Sequence, residues 1–218
     1  MMELSYDPPL REILRYLGCR EESAGRALLE EVDECVRQLG IVVTPRHIYR
    51  KYEISQNENG MLRIGGIQIR SRDLSKNLAG CSSCYMIAAT LGLGPDRLIK
   101  RSQSGRISEA VIYQAAAAAM IEKYLGSLCD ELAGDEKKRG QYLRPRFSPG
   151  YGDFPLRYQQ EIFAVLQLPK TIGITLTESL MMVPTKSVTA LMGVSGTDTG
   201  CQSQGCEICM KTDCPFRR

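Results

Sequence analysis

The segment Arg146-Phe147-Ser148-Pro149-Gly150-Tyr151 puts a fixed cation, a stiffened turn, a glycine and an aromatic ring within six residues. Arginine is always charged, and its planar fork holds a carboxylate through two parallel hydrogen bonds. Pro149 confines Ser148 to extended conformations, and Gly150 allows a turn that other residues make only at a cost. Tyr151 can stack on a flat ring or donate one hydrogen bond. These residue types suit a small zwitterion that carries a flat ring. They also suit a solvated connection between a strand and a helix. Two β-rich segments follow, Leu176-Thr177-Glu178-Ser179 and Pro184-Thr185-Lys186-Ser187-Val188, and they can wall such a site.

A second cluster lies at the C-terminal end: Cys201, Cys206, Cys209 and Cys214. Four thiolates this close together can enclose one Zn²⁺ or hold an iron–sulfur cluster. Pro215 after the last cysteine matches the ending of ferredoxin-type runs, but the cysteine spacing does not. A third motif, Cys81-Ser82-Ser83-Cys84, has redox spacing. It reads better as the end of a helix and the start of a buried strand, where cysteine is a common small residue. His47, the one histidine of the chain, has no carboxylate or cysteine beside it and reads as structural.

The elements that must position these residues follow from periodicity. Residues 8–19 and 21–39 read as amphipathic helices, the second ended by Gly40. Residues 41–54 have strand character broken by Pro45. Residues 61–70 alternate as one strand kinked at Gly65-Gly66. A short helix over 72–78, a buried strand over 84–91 and a helix opened by Pro95 come next. Residues 107–132 form the longest helix. Asp135 to Gly140 reads as a charged linker. Beyond it lie a strand over 142–147, a helix over 156–166, and strands over 174–183 and 188–194 joined by a turn at Pro184-Thr185. The fold class is α+β, with helices packed on a mainly antiparallel twisted sheet. The domain reading is 1–195, followed by a cysteine-rich tail over 196–218.

Composition sets limits. The chain has 218 residues, 43% hydrophobic and 24% charged, which is ordinary for a globular protein. A net charge of +3 and 6% aromatic residues weigh against a zinc-knuckle nucleic-acid binder. No apolar run reaches the roughly 20 residues that span a bilayer, and the first residues have no secretory pattern. We therefore expect no nucleic-acid partner, no membrane partner and a cytoplasmic location, where nine cysteines would stay reduced.

The pattern Arg146-x-x-x-Gly150-Tyr151, with Leu176-Thr177-Glu178-Ser179, Met182-x-Pro184 and Ser187-Val188 in the same order, resembles the activation (reactivation) domain of cobalamin-dependent methionine synthase. The resemblance is strongest over residues 140–195. Upstream it rests on the element pattern and on Ala88-Ala89-Thr90-Leu91-Gly92, which is similar to free-standing relatives of that domain. It implies S-adenosylmethionine binding, with Arg146 on the methionyl carboxylate. Pro149, Gly150, Tyr151 and Glu178 would line the ligand, and backbone near Met192 and Gly193 would close the pocket. It also implies a rescue function, in which a methyl group and one electron return oxidised cobalamin to its methylated form.

The chain departs from the fused enzymes in three ways. Alanines occupy the long helix where an acidic contact is expected, and Met192-Gly193 replaces an aromatic pair. No Asp-x-His-x-x-Gly motif for cobalamin is present. The cobalamin would then sit on a partner, a methionine synthase or other corrinoid protein, with a low-potential electron donor beside it. That need for an electron tilts the tail cysteines toward an iron–sulfur cluster over zinc. The rival reading is a non-catalytic metal-binding interaction module that keeps the fold without the ligand.

Overall fold

The structure, a computed structural model, describes residues 5–57 and 60–198. Among these, helices alternate with a mainly antiparallel sheet, which is the α+β class expected from the sequence. The chain resolves into two compact units, each assembled from separated stretches.

The first unit takes residues 5–46, Ala89–Cys129 and Met181–Val188. It holds α1 (Leu10–Tyr16), a single 3₁₀ turn (Glu21–Ser23) and α2 (Arg26–Val42). It also holds α4 (Gly94–Gln103) and most of α5 (Ile107–Lys137). Ile13, Leu14, Val32, Leu39, Met120 and Leu125 are among its buried side chains. Ala116 and Ala117 are fully buried, as the polyalanine stretch leads one to expect of a face that admits close neighbours. Gly40 does not end α2. The helix runs on to Val42, with the Val43 N–H donating to Leu39 O at 3.0 Å, and stops ahead of Pro45, which disfavours helix at the residue before it. The expected turn at Pro184-Thr185 is present. The Thr185 N–H donates to the Asp96 carboxylate at 2.9 Å, and its hydroxyl bonds the same group.

The second unit takes residues 47–88, 130–180 and 189–198. Its centre is a six-stranded sheet in the order β3-β2-β1-β4-β8-β5. The strands are β1 (Arg46–Gln56), β2 (Leu62–Ile64), β3 (Ile67–Ile69), β4 (Cys81–Thr90), β5 (Tyr142–Leu143) and β8 (Ser187–Ser195). Helices α3 (Arg72–Asn77), α6 (Tyr158–Leu166) and α7 (Leu168–Thr171) belong to the same unit. The short strand β6 (Thr175–Leu176) lies in this unit, and β7 (Met182–Val183) lies in the first.

Three expectations change here. The alternating run over 61–70 is two strands: β2 and β3 pair antiparallel, Ile64 opposite Ile67. Gly65 and Gly66 have φ of 57° and 87°, and two successive positive-φ residues reverse a chain instead of kinking it. Asp135 to Gly140 is not a linker. Its first three residues complete α5, and Glu136 has no solvent exposure. The strand expected over 174–183 is interrupted by a turn in which Leu180 has φ of 63° and donates its N–H to Thr177 O at 2.9 Å.

Candidate functional site

The placement of Arg146 follows from the edge of the sheet. β5 pairs antiparallel with β8, Tyr142 opposite Ser195 and Leu143 opposite Val194. The Arg144 N–H continues the ladder to Gly193 O at 2.8 Å. The next bonds join Phe147 and Leu191 in both directions, each at 2.8 Å. Pro145 and Arg146 therefore oppose Met192 alone, which makes a β-bulge. Pro145 has no N–H to offer the ladder, so the chain is set to bulge there. The bulge sets Arg146, half-buried, opposite Met192 and next to Gly193. Met192 is buried. A side chain at Gly193 would meet Cys81 Sγ at 2.6 Å and Leu78 at 2.7 Å, so those two residues press directly on its backbone.

The turn after the bulge is tied to α3. Pro149 is buried, Gly150 has φ of 94°, and Tyr151 is 60% exposed. The Gly150 N–H donates to Phe154 O at 2.8 Å and the Tyr151 N–H to Ser148 O at 3.2 Å. Asp153 caps α3 from outside the helix. Its carboxylate accepts from the Ser71 hydroxyl at 2.5 Å and from the Arg72 and Asp73 N–H groups at 2.8 and 3.1 Å. Asp73 returns the bond, accepting the Asp153 N–H at 3.2 Å. Asn77 Nδ2 donates to Pro145 O at 3.2 Å, fixing the residue before Arg146. Phe147, Phe154 and Tyr158 form a row of tilted rings, with centroids 6.3 and 5.4 Å apart.

Burial works to raise the Asp153 pKa. The Ser71 hydroxyl, the two N–H groups and the Arg72 charge outweigh it and hold the carboxyl below its usual range. A depressed carboxyl stabilises the fold above its unfolded pKa, and that contribution is lost as pH falls through the folded value. Asp153 is exposed, so solvent screens the charge. Asp153→Asn is expected to cost about 1 kcal/mol at neutral pH, a capping magnitude. Urea unfolding of both proteins should show the gap closing below about pH 3.5, and a gap unchanged by acid would contradict the assignment.

The backbone and the side chains of the loop play different parts. The Gly150 and Tyr151 N–H groups are used within the turn. The side chains the loop carries are the Arg146 guanidinium, the Tyr151 ring and the Ser148 hydroxyl. These can take a carboxylate and a flat ring, as read from the sequence. Glu178 lies exposed in the turn between β6 and β7, and among the described residues no hydrogen bond or ion pair joins it to the Arg146 loop. The capping pair Ser71 and Asp153 was not singled out in the sequence. A serine directly before a short helix is its local signal, but the partner eighty residues away has none.

The remaining motifs fall elsewhere. Cys81 and Cys84 both lie on β4, three positions apart and hence on opposite faces, and both are free thiols. Burial pushes the Cys84 thiol up to about 12. His47 stacks on Tyr49 with centroids 6.2 Å apart, and burial lowers its pKa against the opposing charge of Glu131. Cys201, Cys206, Cys209 and Cys214 lie outside the described residues. Among the described residues no group of three or more His, Cys, Asp or Glu is placed to hold a metal ion. No described helix is long and apolar enough to cross a membrane.

Residues 100–198, which include the bulge, the Arg146–Tyr151 turn and β8, match the family model for the vitamin B12 dependent methionine synthase activation domain. No curated protein matches the chain. Among solved structures, the chain is similar to a crystal structure of the MetH reactivation domain bound to AdoHcy. The two are 15% identical with a TM-score of 0.66, over 93% of this chain and 78% of that one. In the sequence of residues 100–198, and in fold over most of its length, the chain is thus similar to the activation domain of vitamin B12 dependent methionine synthase.

Proposed function

We propose that the chain binds S-adenosylmethionine at the Arg146–Tyr151 loop. It thereby supports the reductive methylation of cobalamin held by a separate methionine synthase or other corrinoid protein. The observation that carries this reading is the bulge. It presents Arg146 at the sheet edge, five residues before an exposed Tyr151, inside the segment that matches the activation-domain family. The fold neighbour bound to AdoHcy supports it further.

The ligand brings a methyl group on a sulfonium, already a good leaving group, and an electron donor completes the reduction. This chain would then bind and orient rather than move protons. Arg146 grips the carboxylate, Tyr151 covers the flat ring, and the α3 cap holds the loop still. Positioning of this kind is the main protein contribution where the reactant is already activated. Glu178, Pro149 and the backbone at Met192 and Gly193 complete the proposed lining.

Calorimetry with S-adenosylmethionine tests the reading. Arg146→Ala should weaken binding by about 1.5 to 3 kcal/mol, the range for a lost charge-assisted hydrogen bond. An unchanged affinity, or no binding by the native chain at millimolar ligand, sinks the proposal. We further propose that Cys201, Cys206, Cys209 and Cys214 hold a metal ion or an iron–sulfur cluster. Anaerobically purified protein should then carry visible charge-transfer absorbance or stoichiometric zinc. Protein with neither would remove that part.

A further inference from the structure

Within the second unit, a cavity of about 520 Å³ opens between the end of β1, β2, α3 and the start of β4. Its size falls in the range of small-molecule sites. Ile54, Leu62 and Leu78 supply apolar wall, and Gln56 and Lys76 supply polar groups. Cys81 completes it. Leu62 and Leu78 are 2% and 4% exposed, so this wall belongs to the packed core and is fixed in place.

The electrostatics of the cavity are one-sided. Among the described residues no carboxylate lines it. Arg144 is anchored at its wall by a hydrogen bond from Nη2 to Ala79 O at 3.2 Å. The same guanidinium faces the Cys81 thiol, where it opposes the upward push of burial. Lys76 stands at the cavity with its side chain 74% exposed. Its ion-pair partner Asp73 is 3.9 Å away, a contact too long and too wet to neutralise it. Lys76 therefore lines an apolar hollow as its one cation among the described residues, and the Arg144 charge lies beyond the wall, against Ala79 and Cys81.

We infer that this cavity is a binding site for a small organic anion with an apolar body, separate from the Arg146 loop. The apolar body rests on Ile54, Leu62 and Leu78, the anionic group faces Lys76 with the Arg144 charge beyond the wall, and the Gln56 amide serves a polar edge. The occupant lies against Cys81, so the thiol reports on occupancy.

The test uses the full chain and 8-anilinonaphthalene-1-sulfonate, an anionic apolar dye; the absence of tryptophan keeps the background low. Saturating dye should slow alkylation of Cys81 by N-ethylmaleimide, mapped by peptide mass, about tenfold, because an occupied cavity denies access to the thiol. Lys76→Glu should weaken dye binding about tenfold through reversal of the local charge, with unchanged melting temperature. The uncharged analogue N-phenyl-1-naphthylamine should bind more weakly than the sulfonate. Alkylation of Cys81 at an undiminished rate would overturn the site. Equal binding of the two dyes, or indifference to Lys76→Glu, would overturn its preference for anions.

Discussion

Replacing Glu136 by leucine is expected to destabilise the protein by about 3 kcal/mol, the lower end for breaking a buried ion pair. Glu136 has no solvent exposure. Both its oxygens accept from Lys51 Nζ at 2.9 Å, Oε1 accepts from the Tyr85 hydroxyl at 2.5 Å, and Arg139 approaches at 3.3 Å. Burial works to raise its pKa, but the Tyr85 and Lys51 bonds and the Lys51 and Arg139 charges hold it below the usual range. The residue sits in the last turn of α5, where the helix dipole disfavours a negative charge. Only its partners make it tolerable there. The leucine variant leaves the Tyr85 hydroxyl, on a 6% exposed residue, without its acceptor. Lys51 is partly exposed and can turn to water, which is why the lower end applies. Thermal unfolding should show a drop of about 6 to 12 °C for a chain of this size. Adding Lys51→Met should recover part of the loss. A drop within error of zero would mean that the network is not formed.

Gly152→Ala should have an effect of similar size, about 2 to 4 kcal/mol, from left-handed backbone strain plus overpacking. Gly152 has φ of 51°, and an added Cβ would lie 2.4 Å from Asp73 Oδ2. Asp73 cannot simply swing aside, because the same oxygen accepts the Asp153 N–H. The substitution therefore attacks the joint between the loop and α3. On our functional reading it should weaken S-adenosylmethionine binding as well, since the loop that carries Arg146 and Tyr151 loses its anchor. A Gly152→Ala protein with native melting temperature would show that the loop has a different conformation in solution.

The comparison with the sequence turns on how far apart cooperating residues lie. α4 and α6, and the buried run of β4, were readable because their patterns are local. The Arg146–Tyr151 turn was readable for the same reason, since each of its residue types constrains its own backbone. The hairpin at Gly65-Gly66 is not legible in the pattern, because one alternating run continues across both strands and only the paired positive φ values separate them. Gly40 misled because a glycine tolerated inside a helix looks the same as one that ends it. The stretch from Asp135 looked like a linker because Glu136 finds Lys51 and Tyr85 through tertiary pairing, which no nearby residue announces. The Asp153–Ser71 bond is silent in the sequence for the same reason.

The bulge at Pro145–Arg146 has one more consequence, which is a matter of parity. Side chains along a strand alternate between the two faces of a sheet. In an unbroken ladder Arg146 would stand opposite Leu191, and Phe147 would move one place on. The extra residue shifts this count by one, so Phe147 takes the position opposite Leu191 and is buried to 7% exposure, while Arg146 remains half-buried. Closing the bulge by a one-residue slip of register beyond Arg144 would restore the even count and exchange the two. A single step of register at the sheet edge thus decides whether that position presents a guanidinium or a benzene ring.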